Sequence, residues 1–374
     1  MKLNAVIGTL KSVPITATPP ATSADAVLLR KEGRAAYLTL NRPKAINALT
    51  RDMVLRVRAA LDEWQDDASV DAVIITGAGD RGLCAGGDIR AVRESVITGR
   101  PQEAAEFWRD EYRLNLAIAG YPKPYVAIMD GIVMGGGVGI SAHGEVRIVT
   151  ERSRVAMPET GIGFIPDVGG TYLLSRAPGE LGTHLALTGT AITAADAILC
   201  GLADHYLPST AIPDLTAALS TEDLATALKA HTTPAPASQL AAHRPWIDEC
   251  YAADTVEEIV DRLQHHSTPA ANETATTIQT KSPTALKVTL AALRRARNLP
   301  DLQAVLEQEF LVSCSGLTEP DLAEGIRAQV VDKDRAPRWT PTTLAEVPEE
   351  AVTRFFTPPQ PGDPRSYLGP LFTS

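Results

Sequence analysis

The sequence predicts an α/β fold in which strand, glycine-rich turn and helix recur, followed by a helical region. Three observations carry this. The strand-like runs Ala72–Thr76 and Tyr125–Met129 are each followed by a glycine-rich turn, RGLCAGGDIRAV over 81–92 and DGIVMGGGVGISAHG over 130–144. A helix start follows each turn, and the unit repeats through Ile75, Ile128 and Ile148, giving stacked βα turns. Beyond Pro208, helical patterns are separated by proline-containing or polar breaks.

The elements follow in order. Ala26–Lys31 and Arg34–Asn41 read as strands joined around Gly33, a hairpin signal. Thr50 caps a helix running to about Asp66, because Met53, Val54, Val57, Leu61 and Trp64 recur at helical spacing. Position 101 onward reads as helix, and Thr193 begins a short one that ends before Gly201. Five further helices are expected at Thr221–Ala230, Ser238–His243, Pro245–Tyr251, Val256–His265 and Leu286–Arg297. The stretch from Thr340 is proline-rich and reads as extended or partly disordered. The expected organisation is a flexible tail over 1–24, a core over 25–208, a helical region over 209–339 and a proline-rich extension over 340–374.

Composition narrows the function. With 374 residues, 44% of them apolar, the chain can bury a sizeable core. Aromatic content of 5% argues against a base-stacking platform, and a net charge of −10 argues against general nucleic-acid affinity. No apolar run has transmembrane length, so no membrane partner is expected. The threonine-, proline- and alanine-rich start suits neither a secretory signal nor an arginine-rich transit peptide. Cysteines 84, 200, 250 and 314 are scattered without CxxC spacing, as expected of reduced thiols in a cytoplasmic protein without a metal site. Cys84 reads as a small packing residue and His143 as a helix-end contact.

The chemistry concentrates in PETGIGFIPDVGGT, residues 158–171, where Glu159 and Asp167 stand eight positions apart in otherwise apolar chain. Burial raises a carboxyl pKa and a second carboxylate splits the pair, which suits acid–base or nucleophilic work near neutrality. The competing reading makes them turn acids, with Asp167 as the N-cap of the following helix. The two glycine-rich turns weigh against it. Glycine lets backbone approach a ligand closely, and helix starts present unpaired N–H groups; two such turns meeting in space supply an oxyanion hole. A rival motif, Gly77-Ala-Gly-Asp-Arg-Gly82, matches the dinucleotide pattern G-x-G-x-x-G. That motif requires a helix opening at Gly82, whereas Leu83-Cys-Ala-Gly-Gly follows at once.

The strings NRPKAINAL, VIITGAGDRGLCAGGDIRAV, KPYVAIMDGIVMGGGVGIS, MPETGIGFIPDVGGTYLLSR and LTGTAITAADAILCGLADHYLP carry a resemblance. From about Ala26 to Pro208 the chain resembles the crotonase (enoyl-CoA hydratase/isomerase) superfamily, most closely its 3-hydroxyisobutyryl-CoA hydrolase branch. KSPTALKVTLAALRRA and LAEGIRAQVVDKDRAPRW extend the likeness toward that branch. The resemblance implies a crotonase-like spiral of stacked ββα turns with a C-terminal helical region. It implies that the Gly87 and Gly136 amides form the oxyanion hole for an acyl-CoA thioester. It also places the loop of Leu83, Ala85, Gly86, Asp88 and Ile89, with Lys44 and Ala45, along coenzyme A. Because coenzyme A is anionic, Arg42, Lys44, Arg81 and Arg90 are candidate phosphate partners, with a solvated surface face the commoner reading of each. The segment from Leu322 to Trp339 is implied to be a helix packing near the acyl-CoA pocket, with Asp332-Lys-Asp-Arg in the following turn; as a charge run, that turn reads as facing solvent in preference to the pocket. The implied partner is a small acyl-CoA molecule, with no cofactor beyond the coenzyme A of the substrate itself; homo-oligomerisation stays open.

One departure bears on the branch. Hydratases of the superfamily carry a glutamate three positions after the middle glycine of GGG; here that position is Gly139. The hydrolase branch instead pairs the later glutamate with the aspartate of PDVGG, matching Glu159 and Asp167. Thioester hydrolysis is therefore the expected reaction, with Glu159 as nucleophile or general base. Asp167 would hold the β-hydroxyl, orient water or move a proton. A hydratase or isomerase, and a non-catalytic acyl-CoA binder, are the alternatives.

Overall fold

The computed structural model describes residues 26–360, 363, 365 and 369–372, so the tail expected over 1–24 lies outside the described residues. In chain order the strands are β1 (Val27–Glu32), β2 (Ala35–Leu40), β3 (Ala72–Gly77), β4 (Tyr125–Met129), β5 (Ile132–Met134), β6 (Val146–Val149), β7 (Arg154–Ala156) and β8 (His205–Tyr206). β1 and β2 form the expected antiparallel hairpin around Gly33, whose φ is +57°. The main sheet runs β1-β2-β3-β4-β6-β8, and every pairing after the first is parallel. β5 and β7 pair in parallel as a second, smaller sheet.

Parallel strands need crossovers, and the chain supplies helices for them. They are α1 (Arg51–Trp64), α2 (Ile89–Ile97), α3 (Pro101–Ala119), α4 (Gly136–Gly139), α5 (Gly170–Ser175), α6 (Leu181–Thr188) and α7 (Ala194–Leu199). Thr50 caps α1 as expected, its hydroxyl accepting from Met53 N at 3.3 Å. Strand side chains alternate between two apolar layers. Leu38, Leu40, Val73 and Ile75 enter the larger core with α1 and α3. Tyr37, Ile74, Val126 and Ile128 face the opposite layer, covered by Leu215 and Leu219. The sheet is thus buried on both sides, as parallel sheets are.

The C-terminal region contributes α8 (Ile212–Ala218), α9 (Leu224–His231), α10 (Gln239–Tyr251), α11 (Val256–His265), α12 (Pro269–Gln279), α13 (Pro283–Ala296), α14 (Leu302–Gly316), α15 (Pro320–Ile326) and α16 (Glu349–Phe355). Several of these differ from expectation. Ser238–His243 and Pro245–Tyr251 are one helix, because Leu240, Trp246, Ile247, Cys250 and Tyr251 bury a continuous face that outweighs the bond lost at Pro245. α9 starts at Leu224, where the Asp223 side chain accepts from Thr226 N at 3.0 Å. α13 starts three residues before Leu286, capped by Ser282. The segment from Leu322 to Trp339 is helical only to Val331, passing from α15 into a wider π-helical turn over Arg327–Val331. Part of the proline-rich stretch folds as well: α16 packs on α13 and α14 through Phe355.

α14 lies against α3 and α5, and α15 lies against α2. The helical region therefore closes over the glycine-rich turns. That contact builds the site.

Candidate active site

The floor of the site is made where the chain leaves β3 and passes beside β5. Leu83 N donates to Asp130 O at 3.0 Å, Cys84 N to Ile132 O at 3.1 Å, and Met134 N to Cys84 O at 3.0 Å. These bonds bring the two glycine-rich turns together. A Cβ built on Gly136 would stand 3.1 Å from Gly87 N and 2.5 Å from Glu111 Oε1, so only glycine leaves this space open. Neither Gly87 N nor Gly136 N meets a backbone acceptor among the described residues. The two glycines thus stand side by side where the turns meet.

That point opens on a cavity of about 330 Å³. Ala85, Gly86, Gly87, Ile89, Gly136, Glu159 and Asp167 all line it. The other residues expected to contact coenzyme A stand off the lining. Lys44 and Ala45 form an exposed turn next to the loop, tied to it by Ala85 N donating to Ile46 O at 2.9 Å. Leu83 is a core residue, 1% exposed. Asp88 pairs with Arg42 at 2.9 Å. Arg81 donates to the Pro43 carbonyl and Arg90 to the Val330 carbonyl.

Glu159 opens a 3-10 turn (Glu159–Ile162) just after β7, which fixes where it enters the cavity. It is 6% exposed, and its Oε2 has no partner among the described residues. Asp167, also 6% exposed, accepts from Tyr112 Oη at 2.7 Å. It is not the cap of α5; Gly169 takes that position, so the N-cap role of the competing reading is not the one Asp167 plays. Val168, between them, is a β-branched residue held at φ +53°. Its carbonyl accepts from His143 Nε2 at 2.7 Å, so that histidine contacts the Asp167 turn and not the end of the glycine-rich helix where it was expected. Burial lowers the His143 pKa to about 4, so the ring is neutral. Glu309 holds the other side of the turn, accepting from Gly169 N at 2.6 Å and Thr171 N at 2.8 Å.

Burial raises all the acids here. Asp167 is pushed up to about 7 by desolvation, which the Tyr112 hydrogen bond partly offsets. Glu159 is raised by desolvation and then by the Asp167 charge, and Glu111 for the same two reasons. Each of these three buried carboxyls, when charged, opposes ionisation of its neighbours, so their titrations are coupled.

Several of these side chains lie outside the sequence expectations. Glu111, 3% exposed on α3, carries an unpartnered buried Oε1. Nothing in EFWRDEYRLNL separates it from Asp110, which pairs with Arg51. Lys281, half-buried on the cavity wall, makes no ion pair among the described residues, and desolvation lowers its pKa. Leu322, Gln329 and Val330 close the wall from the C-terminal side. Phe107, Trp108 and Phe164 make the apolar end, the last two stacked at 5.0 Å. Cys84 is buried and pushed up to about 12 by desolvation, a packing residue as expected. The Gly77–Gly82 pattern opens no helix; the next one is α2.

Two amides with no backbone acceptor among the described residues, beside buried carboxyls, are an arrangement able to polarise a carbonyl and to supply acid–base groups. Residues 35–356 match the enoyl-CoA hydratase/isomerase family, and the chain belongs to it. It is 42% identical over 345 residues to a protein of Danio rerio named 3-hydroxyisobutyryl-CoA hydrolase, mitochondrial, covering 88% of this chain and 89% of that one. The human protein of the same name is 41% identical over 345 residues, covering 89% of each. Among solved structures, a carnitinyl-CoA dehydratase from Mycobacterium thermoresistibile superposes with a TM-score of 0.87 at 56% identity, covering 90% of this chain and 98% of that one. An enoyl-CoA hydratase from Rhodobacter sphaeroides gives 0.84 at 42%, covering 89% and 97%. The expected crotonase-like α/β fold is thereby established.

Proposed function

We propose that the protein hydrolyses an acyl-CoA thioester, converting 3-hydroxyisobutyryl-CoA and water to 3-hydroxyisobutyrate and coenzyme A in valine breakdown. The carrying observation is that Glu159 and Asp167 line the same cavity as the adjacent glycines Gly87 and Gly136. In this reading the thioester oxygen accepts from both amides as charge develops on it. Each such donor contributes on the order of 3 kcal/mol to the transition state. The ionised member of the carboxyl pair activates the attack on the carbonyl carbon, and the protonated member delivers a proton to the departing thiolate. The acyl group extends toward Phe107, Trp108 and Phe164, and Lys281 receives an anionic or polar group of the coenzyme A portion. The names of the Danio and human relatives support this substrate.

A second reading, hydration or dehydration of an acyl-CoA, draws on Glu111 and on the dehydratase name of the 56%-identical neighbour. Glu111 and Glu159 supply two carboxyls on a route that does not use position 139. We favour hydrolysis because Asp167, the member of the pair expected of the hydrolase branch, stands in the same cavity. We also place the protein in the cytoplasm as a small-molecule enzyme, a placement that its four free, buried cysteines suit. No described helix is long and apolar enough to cross a membrane.

Thiol release from 3-hydroxyisobutyryl-CoA, followed beside the enoyl absorbance of crotonyl-CoA, tests the reading. Release of thiol from the hydroxy ester with no change in crotonyl-CoA is expected. Loss of enoyl absorbance without thiol release overturns it in favour of hydration, and binding without turnover overturns it in favour of an acyl-CoA binder.

A further inference from the structure

Helix α14 carries two polar side chains one turn apart, Glu309 and Ser313, and both are 0% exposed. Burying polar groups on a helix is costly unless each finds a partner. Both partners belong to the catalytic region. Glu309 accepts from the amides of Gly169 and Thr171, just after Asp167, and from Thr171 Oγ1 at 2.5 Å. Ser313 Oγ lies 2.8 Å from Tyr112 Oη, and Tyr112 donates to Asp167 Oδ2. A carboxylate only accepts, so with Asp167 ionised the direction of the chain is fixed. The Tyr112 proton points to Asp167, and the Ser313 proton turns to Tyr112. The ring itself is fully buried and set edge-on to Phe310 of α14, centroids 6.1 Å apart.

The surroundings give this hydroxyl its weight. Asp167 faces Glu111 from α3, Glu159 from the 159–162 turn and Glu309 from α14. His143, bound to the next carbonyl, is neutral. No cation pairs with Asp167 among the described residues, and Tyr112 is the side-chain donor it has there.

We propose that Tyr112, oriented by Ser313, is a positioning residue for Asp167, through which helix α14 fixes where that carboxylate points and at what pH it ionises. The inference rests on Asp167 being one of the working carboxyls. A hydrogen bond to the charged form favours ionisation, so deleting the hydroxyl shifts the Asp167 midpoint upward. A charge-assisted bond of this kind corresponds to a shift of about one to two pH units.

The test is a carbon-13 titration of protein labelled at aspartate carboxyls, the Asp167 resonance being assigned by its loss in Asp167→Asn. Tyr112→Phe keeps the ring and removes the hydroxyl; its Asp167 midpoint is expected to rise, with Ser313→Ala giving a smaller rise in the same direction. In parallel, the neutral-range limb of the kcat/KM profile for thiol release moves up by the same interval. A merely structural role lowers Tm and activity at every pH without moving either midpoint. An unchanged Asp167 midpoint in Tyr112→Phe overturns the proposal; if that variant does not fold, an unchanged midpoint in Ser313→Ala does so. If the wild type releases no thiol from any hydroxyacyl ester, the hydrolase reading fails, and the carbon-13 midpoints still decide the role of Tyr112.

Discussion

Gly139 stands against Val168: a Cβ built on the glycine would lie 2.6 Å from Val168 Cβ and 3.0 Å from Asn115 Nδ2. This contact joins the second glycine-rich turn to the turn that carries Asp167. Position 139, where the superfamily's hydratases carry a glutamate, is closed to any side chain in this protein.

Gly139→Glu therefore does not create a hydratase. The new side chain displaces Val168 and with it Asp167, an overpacking that costs roughly 1–3 kcal/mol. Enoyl absorbance of crotonyl-CoA should stay constant while thiol release and Tm both fall. Gain of hydration activity at unchanged Tm contradicts the packing argument.

Burying Asp167 costs stability as the pH rises. Its folded pKa, about 7, is raised from the ordinary value of 3.8, so the folded state holds this proton more tightly than the unfolded chain. Between those two values each step upward in pH removes stability, and above about 7 the full cost is present. Asp167→Asn keeps the Tyr112 hydrogen bond without the charge. It should raise stability at pH 8, by an amount on the order of 2–4 kcal/mol, and by little at pH 4. Denaturant midpoints at the two pH values check this.

Lys281 brings a cation to the cavity wall, next to the N-terminus of α13, where the helix dipole disfavours positive charge. With no ion pair among the described residues, its placement makes sense if substrate provides the anion. Lys281→Met is expected to raise KM for the CoA ester roughly tenfold while leaving kcat within about twofold, the pattern of lost uniform binding. Steady-state kinetics decide it.

Glu309 is the polar brace of the Asp167 turn. Glu309→Ala strands the amides of Gly169 and Thr171 in the interior, a loss of about 2–4 kcal/mol. Urea unfolding should show a lower midpoint, and thiol release should fall with it.

The parts of the site legible in the sequence are those built by local chain. Glycine-rich turns after strands announce themselves, and Glu159 and Asp167 stand out because their neighbours are apolar. What the chain brings from afar does not. Asp110 and Glu111 are adjacent acids on α3, yet one pairs at the surface with Arg51 and the other is buried beside Gly136. Helical periodicity alone does not tell which of them turns inward. Glu309 and Ser313 lie on α14, whose apolar residues run all round, leaving no amphipathic stripe to mark it. α12 is hard to see because its buried face is narrow and mostly alanine, Ala271, Ala275 and Ile278 in an otherwise polar run, and α16 is masked by the prolines on either side of it. The break expected at Pro245 is overridden by buried neighbours, a tertiary effect that local signals do not contain.

The most direct measurement is thiol release from 3-hydroxyisobutyryl-CoA by the wild type, Glu159→Gln and Asp167→Asn, each checked for folding by its Tm. Fast release by the wild type is expected, with a loss of at least about a hundredfold in kcat for either variant, both remaining folded. Wild-type rates in both variants would contradict this, because the paired carboxyls would then have no part in breaking the thioester.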